Sequence, residues 1–318
     1  MNFEIIKNKI NQAQKIVIFT HIIPDGDAVG SACTVAHYLQ SIGKEAKVYF
    51  QEQLSDEYVK LHIDDLISYQ EPTDYDLIIC TDCSNSERVG KYEPFVQSCD
   101  NTIAIDHHIA FDDFAANNFL SVKSSSTCEF LFDIFQALDF KIDKRMAELM
   151  YLGIIRDSGG FMYNNTTAHT HYVAEKLFDL GINHEWLNRQ YMNTISLQNA
   201  MVLKYALNNL ALFESNRFAI STITRKELQN IGATINDTGI VVSQILSIDS
   251  VEVAIFATEV SAGVFKVSIR SKYDIDANKI AQVFGGGGHS KASGCKVYGS
   301  REKVIELFLR EVRKVIKN

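Results

Sequence analysis

Short apolar runs alternate with helix-like patterns through the first two thirds of the chain. The runs have the length of buried strands and lie at 15–19, 46–50, 76–80 and 101–105. Apolar residues recur at helical spacing at 2–14, 28–42, 127–138, 143–157, 167–181 and 183–213. Short strands that alternate with helices are typical of βαβ units. We therefore predict a mainly parallel sheet whose strands end at one common edge.

The pattern changes after about Glu214. Strands are predicted there at 217–223, 251–258 and 264–270, with helices near 224–231, 239–248 and 276–284. A chain of 318 residues has room for two domains of ~150 residues. We predict an α/β protein: an N-terminal domain at 1–190, a connecting helix at 191–214, and a smaller mixed α/β domain at 215–318.

The composition is that of an ordinary globular protein, with 46% hydrophobic and 22% charged residues. No apolar run approaches the ~20 residues of a membrane span, and the first residues lack a signal-peptide core. We expect no membrane partner and a cytoplasmic location. The six cysteines are scattered, which indicates free thiols in a reducing compartment. Cys80 and Cys83 have CxxC spacing, for which chance is the preferred explanation over a redox role.

The net charge of −8 argues against a protein that coats long nucleic acid, because such binding depends on neutralising many phosphates. A small anionic substrate is compatible with this charge if a basic pocket or metal ions compensate locally.

The segment Thr20–Ser31 places His21, Asp25 and Asp27 directly after the first predicted strand. Pro24 and Gly26 favour a tight loop there, and a helix-like pattern follows. An imidazole and two carboxylates at such a position suit a divalent cation and a phosphate ester. The alternative is a helix-capping loop with solvated acids.

Two further predicted strands end in the same kinds of side chain. Asp82 follows the strand at 76–80, and Asp106, His107 and His108 follow the strand at 101–105. Asp157 stands at the end of a predicted helix, where the helix dipole disfavours a carboxylate unless a cation compensates. A surface Asp is the alternative for Asp157. Because three strands end this way, we favour a metal site over solvated loops.

The candidate ligands are two imidazoles and four carboxylates: His21, Asp25, Asp27, Asp82, His107 and Asp157. They can hold two divalent cations if one carboxylate bridges, and mixed nitrogen and oxygen ligands fit Mn²⁺ well. Two such ions can activate water for hydrolysis of a phosphoester or phosphoanhydride. The sequence has neither a P-loop lysine motif nor a serine nucleophile elbow.

A glycine run marks the second domain, Phe284-Gly285-Gly286-Gly287-Gly288-His289. Glycines let a backbone approach an anion closely and direct several N–H groups at it. With His289, Lys291 and the strand-ending Arg270, the run predicts a phosphate pocket. A mobile surface loop is the alternative.

These motifs together resemble the DHH phosphoesterase superfamily, named for the triplet Asp106-His107-His108. The resemblance extends over HIIPDGDAVGS, TDCSNSERVG, IDHH, GIIRDSGG, SIRSK and GGGGHSKASG. The last two fragments are similar to the DHH-associated substrate-binding domain. A short chain with both domains looks most like the nanoRNase A group. That likeness implies a cytoplasmic, Mn²⁺-dependent hydrolase of very short oligonucleotides, with 3′-phosphoadenosine 5′-phosphate (pAp) or linear di-adenylate (pApA) as further substrates and an active site in the cleft between the domains.

The resemblance also implies a role for each matching residue. His21, Asp25 and Asp82 would bind one metal, and Asp27, Asp82, His107 and Asp157 the other, with Asp82 bridging. Asp106 would orient a neighbouring histidine, and His108 would contact the scissile phosphate or aid the leaving group. Arg270, Gly286, Gly287, Gly288 and His289 would grip the substrate. Arg156 departs from the small polar residue of many relatives, which leaves its role open.

Related interpretations compete with this one. Manganese pyrophosphatases share the first-domain motifs but not GGGGH, and RecJ-like exonucleases carry additional domains. The remaining alternatives are a cyclic-di-AMP phosphodiesterase and a nucleotide-binding protein with an inert metal site. A homodimer is the default oligomer.

Overall fold

The computed structural model describes residues 1–316. It forms two compact units, Met1–Thr194 and the described chain from Ile195 on, each with its own sheet and its own hydrophobic clusters.

The first unit is built on a parallel sheet, which has six strands within the described residues. In chain order the strands are β1 (Lys15–Phe19), β2 (Glu45–Tyr49), β3 (Ile67–Ser68), β4 (Leu77–Thr81), β5 (Thr102–Asp106) and β6 (Asn117–Leu120). Their spatial order is β3-β2-β1-β4-β5-β6. The chain leaves β1 toward β2 on one side and returns to β4 on the other. The strand order therefore reverses at β1 and β4, where open α/β sheets bind ligands.

Helices cover the sheet of the first unit. They are α1 (Glu4–Gln12), α2 (Gly26–Ser41), α3 (Asp56–Val59), α4 (Glu93–Ser98), α5 (Thr127–Ala137), α6 (Lys144–Asp157), α7 (Ala168–Asp179) and α8 (His184–Met192), with a 3₁₀ helix at Glu87–Tyr92. Apolar side chains are buried on both faces of β1, β4 and β5, because Ile18, Ile79 and Ile105 face one cluster while Phe19 and Cys80 face another. Such two-sided burial explains the continuous apolar runs of the sequence.

The strand register aligns the polar residues that follow the central strands. Phe19 pairs with Cys80, and Thr81 pairs with Ile105. Continued by one or two residues, the same register places His21 beside Asp82 and Asp82 beside Asp106. Three candidate residues far apart in sequence thus reach one level at the carboxyl edge of the sheet.

The second unit contains a mixed sheet, also six-stranded within the part that the structure describes, in the order β11-β12-β10-β9-β8-β7. Its strands are β7 (Ala211–Phe213), β8 (Phe218–Ile223), β9 (Val253–Ser261), β10 (Val264–Ser271), β11 (Gly287–His289) and β12 (Ala292–Tyr298). Of these strand pairs, β8 and β9 run parallel and the others antiparallel. The helices are α9 (Leu197–Asn208), α10 (Arg225–Asn230), α11 (Val241–Leu246), α12 (Ala277–Gln282) and α13 (Arg301–Val315), with a 3₁₀ helix at Ile235–Thr238.

The α/β class is confirmed, with a parallel first sheet and a mixed second one. The stretch 183–213, predicted to be helical, is interrupted, because α8 ends at Met192, α9 begins at Leu197 and α9 ends at Asn208. The break follows from capping: the Ser196 side chain accepts a hydrogen bond from the Asn199 backbone N–H, which starts a new helix. The chain from Ala211 to Phe213 is a strand, β7.

Among the described residues, no helix combines the length and the apolar character that a membrane crossing requires.

Candidate active site

The predicted ligands of the first unit converge at the carboxyl ends of β1, β4 and β5. His21 follows β1, Asp82 follows β4, and His107 and His108 follow β5. Asp25 and Asp27 stand at the start of α2, and Asp157 is the last residue of α6. Donor atoms of these residues form three groups, within each of which all atoms lie within 4.8 Å of one another. The groups are His21, Asp25 and Asp82; Asp27, His107 and Asp157; and Asp82, Asp106, His107 and His108.

Asp82 connects the groups through its two carboxylate oxygens. Its Oδ2 lies 3.5 Å from Nε2 of His21, while its Oδ1 lies 3.8 Å from Nε2 of His107. The side chain is 2% exposed, and the backbone φ of +54° is in the left-handed region that few residues other than glycine adopt. A carboxylate held in this way can reach two cations at once.

Asp25 combines the two roles that the sequence left open. Its Oδ1 accepts hydrogen bonds from the N–H groups of Asp27 and Ala28, so it caps α2. The same oxygen lies 4.0 Å from Nε2 of His21. The cap therefore also fixes the carboxylate beside the first imidazole.

Asp27 is fully buried, and the amino end of α5 holds its carboxylate. The N–H of Thr127 donates to Oδ2 at 2.6 Å, and the N–H of Cys128 donates to Oδ1 at 3.0 Å. Gly153 of α6 makes room for this carboxylate, because a Cβ at that position would lie 2.4 Å from Oδ1 of Asp27. The sequence gives no sign of these neighbours, since nothing in their local pattern marks a contact across about a hundred positions.

The two adjacent histidines have different partners. Nδ1 of His107 lies 3.3 Å from the carbonyl oxygen of Ser124, which leaves Nε2 directed at carboxylates. Nδ1 of His108 bonds to Oδ1 of Asp106 at 2.7 Å. The same Asp106 oxygen accepts the backbone N–H groups of both histidines. Asp106 thus orients the His108 ring, and a backbone carbonyl orients the His107 ring.

The pKa values reflect burial first and crowded charge second. Burial, together with the charges of Asp82 and Asp157, raises the pKa of Asp27 well above its usual value. Burial also raises the pKa of Asp157. For His107 burial acts to lower the pKa, but the Asp157 and Asp27 carboxylates overcome it and raise the value to about 10. Burial acts to raise the pKa of Asp82, yet the three neighbouring imidazoles keep it below its usual value.

The donor set fits divalent cations. Nε2 of His107 is buried and has no well-aligned hydrogen bond within the described residues. It faces oxygens of Asp157, Asp82 and Asp27 at 3.1, 3.8 and 4.0 Å. An imidazole nitrogen among three carboxylates, once it has released its proton, matches the mixed ligand set that Mn²⁺ and similar ions accept. Cations would relieve the repulsion among these carboxylates and replace the proton on the His107 ring.

Arg156, directly before Asp157, ties α8 to the loop that carries Asp25. Its Nη1 donates to the carbonyl oxygen of Tyr191 at 2.9 Å, and its aliphatic stem packs on Gly26. These contacts give Arg156 a structural role at the border of the site.

Cys80 and Cys83 are buried thiols. Burial raises the pKa of both, so the thiolate form that redox chemistry needs is disfavoured. This environment agrees with chance as the explanation of their CxxC spacing.

In the second unit, Arg270 and His289 share one row of the sheet. Arg270 of β10 pairs with Ala292 of β12, and Ala292 pairs with His289 of β11. Directly paired residues point to the same face, so the two side chains project from one face about 10 Å apart, across a small alanine. Lys291 is engaged elsewhere, because its Nζ contacts the carbonyl oxygens of Tyr273 and Ile275.

The glycine run has a packing role that the sequence did not reveal. The chain at Gly287–His289 forms β11, an edge strand, and not an open loop. A Cβ on Gly286 would lie 2.2 Å from the carbonyl oxygen of Gly294, and one on Gly288 would lie 2.6 Å from that of Ala292. Gly286 and Gly288 are thus needed for close contact with β12, whereas a Cβ on Gly287 would meet only Asn278, at 3.9 Å.

Family models match both parts of the chain. The DHH family N-terminal domain matches residues 15–154, and the DHHA1 domain matches residues 216–318. The chain is a DHH phosphoesterase with a DHHA1 domain. It belongs to a family of metal-dependent hydrolases, which agrees with the cluster of acids and imidazoles in its first unit.

Curated relatives align along almost the whole chain. A protein of Streptococcus mutans named probable bifunctional oligoribonuclease and PAP phosphatase NrnA is 29% identical, with 99% of each chain covered. The bifunctional oligoribonuclease and PAP phosphatase NrnA of Bacillus subtilis is 27% identical, with 94% of each chain covered. Among solved structures, an exopolyphosphatase-related protein from Bacteroides fragilis superposes with a TM-score of 0.88 at 29% identity, covering 98% of this chain and 95% of that one.

Proposed function

We propose that this DHH phosphoesterase hydrolyses very short oligoribonucleotides and linear dinucleotides such as pApA to mononucleotides, and that it removes the 3′-phosphate of pAp. The observation that carries the proposal is Asp82, whose two oxygens face imidazoles of two different donor groups. The names of the two relatives, whose own chains are covered over 99% and 94% of their length, supply the substrate class.

Two Mn²⁺ ions are part of this proposal. His21, Asp25 and Asp82 would hold one ion, and Asp27, Asp82, His107 and Asp157 the other. Bound there, the ions would lower the pKa of a water and stabilise the attacking and leaving oxygens of an in-line displacement. The polypeptide supplies the fixed positions of these donors, because Asp25 caps α2 and the amino end of α5 holds the Asp27 carboxylate.

His108 is proposed to act on the leaving group. Its Nδ1 is bonded to Asp106, so the proton available for transfer is on Nε2, and the side chain is 36% exposed. The hydrogen bond to Asp106 raises the pKa of His108 and thereby favours the protonated ring. A protonated imidazole can hold a phosphate oxygen and donate a proton to the departing ribose oxygen. Asp106 serves by fixing the ring.

Arg270 and His289 are proposed to bind the far phosphate or the terminal nucleotide of the substrate, with Gly286, Gly287 and Gly288 forming the backbone beside them. Their place in one row of the mixed sheet supports this assignment. A cytoplasmic location belongs to the same proposal. It is supported by the six cysteines, which form no disulfide within the part of the chain that the structure describes.

A substrate panel tests the proposal. Purified protein with Mn²⁺ is expected to release mononucleotides from RNA of two to five nucleotides and from pApA, and phosphate from pAp. A 24-nucleotide RNA should be degraded far more slowly, because an acidic protein gains little from many phosphates. Cyclic-di-AMP and pyrophosphate complete the panel. Preferential cleavage of cyclic-di-AMP or of pyrophosphate would contradict the proposal, and so would a failure to cleave any compound of the panel.

We expect Arg270→Ala to raise the KM for dinucleotides by about 10–100-fold with a smaller change in kcat, since a hydrogen bond to a charged group contributes about 1.5–3 kcal/mol. Lys266→Ala is the matched control, because Lys266 is an exposed cation on the same strand, β10, four residues away. Steady-state kinetics of the two variants check the prediction. An equal rise in KM for both would indicate a general charge effect, and an unchanged KM for Arg270→Ala would exclude it from the substrate site.

A further inference from the structure

One residue outside the predicted ligand set touches two of the three carboxylates that face His107. The backbone N–H of Thr127 donates to Oδ2 of Asp27 at 2.6 Å, and its side-chain Oγ1 donates to Oδ1 of Asp82 at 3.0 Å. We propose that Thr127 is a positioning residue that sets the carboxylate of Asp82 to face two cations at once. This inference rests on the proposed two-metal site.

The hydroxyl of Thr127 is free for this contact because of its place in α5. Thr127 is the first residue of that helix, directly after the cap Ser126. In a helix interior, a threonine hydroxyl commonly bonds to the carbonyl of the preceding turn, and no such turn exists at the first position. The hydroxyl therefore reaches outward to the end of β4, 45 residues away in sequence.

The turn that presents Thr127 is rigid. Ser126 accepts the N–H of Glu129, while a Glu129 oxygen accepts both the N–H and the hydroxyl of Ser125. Ser125, Ser126, Thr127 and Glu129 are each at most 1% exposed. These bonds leave the Thr127 side chain little freedom, so its hydroxyl acts as a fixed donor.

The hydroxyl decides how Asp82 shares its oxygens. Oδ1 has two lone pairs. With the hydroxyl on one of them, the other remains for the side where Nε2 of His107 lies, 3.8 Å away, since Nδ1 of His108, at 3.5 Å, is bonded to Asp106. Oδ2 then faces His21 at 3.5 Å. Without the donor, the carboxylate can rotate, and one of its oxygens turns away from its cation. We expect the ion held with Asp27, His107 and Asp157 to be weakened most, because Thr127 contacts two of that ion's proposed ligands.

Thr127→Val isolates the hydroxyl, since valine keeps the branched shape and the backbone N–H to Asp27. Losing a partner that orients a metal ligand typically costs about 10–100-fold in affinity. We expect binding of one of the two Mn²⁺ ions to weaken by that factor and Thr127→Ser to restore it. Equilibrium dialysis, with Mn²⁺ measured by electron paramagnetic resonance, counts bound ions without any substrate. Activity as a function of Mn²⁺ concentration is the second readout.

Two comparisons control the experiment. Thr127→Ser and Thr127→Ala both lose the methyl group, so a difference between them reports the hydroxyl even if Thr127→Val fails to fold. Thr34→Val removes another buried hydroxyl, one in α2 that has no hydrogen-bond partner within the described residues, and Mn²⁺ binding should not change.

The outcomes separate this inference from the proposed function. Wild type that binds two Mn²⁺, with Thr127→Val and Thr127→Ala binding equally well, would overturn the role of Thr127 and leave the proposed function intact. Weaker Mn²⁺ binding by Thr127→Val and Thr127→Ala, together with a wild type that cleaves no nucleotide, would support the role of Thr127 and contradict the proposed function. A wild type that binds no Mn²⁺ would overturn both.

Discussion

Asp82→Asn is expected to reduce turnover of the best nucleotide substrate by more than 100-fold while the protein stays folded. Asparagine has the same shape, and it tolerates a positive φ better than most residues, so the backbone at +54° is kept. It offers only one oxygen, and its NH₂ group would face either His21 or His107. Losing a hydrogen-bond partner of a metal ligand typically lowers metal affinity or activity by about 10–100-fold. Loss of the bridging ligand itself should lower turnover by more than that.

The chain offers a matched control for this substitution. Asp139 is also a non-glycine residue with a φ of +54°, but it is exposed in the segment that follows α5. Asp139→Asn should leave kcat, KM and Mn²⁺ stoichiometry unchanged. Initial rates, melting temperatures and bound Mn²⁺ of both variants complete the test. If Asp82→Asn retained near-normal turnover with two bound ions, the assignment of Asp82 as bridge would be wrong.

Removal of divalent cations with a chelator should abolish turnover, and Mn²⁺ should restore it and raise the melting temperature. Burial and mutual repulsion both disfavour the charged carboxylates without cations, and together they raise the pKa values of Asp27 and Asp157. Ligand bound only to the folded state adds about 2.7 kcal/mol of stability per site at a hundredfold excess over Kd. Mg²⁺ should restore less activity than Mn²⁺, because it suits imidazole ligands poorly.

The effect of pH on Mn²⁺ affinity has a definite sign. His107 must release its proton to bind a cation, and its pKa in the metal-free protein is raised to about 10. Protons therefore compete with Mn²⁺ throughout the neutral range, and affinity should rise by up to about tenfold per pH unit for each proton displaced. Equilibrium dialysis at pH 6, 7 and 8 measures this trend. Full activity after chelation would contradict the metal requirement. An Mn²⁺ affinity that falls as the pH rises would contradict the assignment of His107 as a ligand.

Much of the first unit follows from local pattern. The runs before His21, Asp82 and Asp106 are apolar on both faces, and such continuous runs indicate buried parallel strands without further information. In contrast, the pattern does not predict β3 and β6, because they are short edge strands whose residues are mostly half-buried. Nor does it predict the break between α8 and α9, because apolar spacing continues through it, although Ser196 carries the capping signal.

The candidate site divides in the same way. Polar residues that follow a strand, begin a helix or end one are visible in the sequence, so the six candidate ligands can be selected from their local context. Thr127, Ser124 and Gly153 cannot, because each contributes through a contact with a residue distant in sequence. The glycine run shows the converse. Gly286 and Gly288 stand out in the sequence, but the reason for them, their close approach to β12, is visible only in the folded hairpin.

The class of the protein and the identity of its candidate ligands follow from the amino-acid sequence, because burial periodicity and the chemistry of carboxylates and imidazoles are local properties. Three facts required the folded chain: which oxygen of Asp82 faces which imidazole, that Asp106 holds His108 while Ser124 holds His107, and that the amino end of α5 supports Asp27. They depend on strand register and on the packing of α5 and α6 against α2, which bring together atoms that the linear order keeps apart.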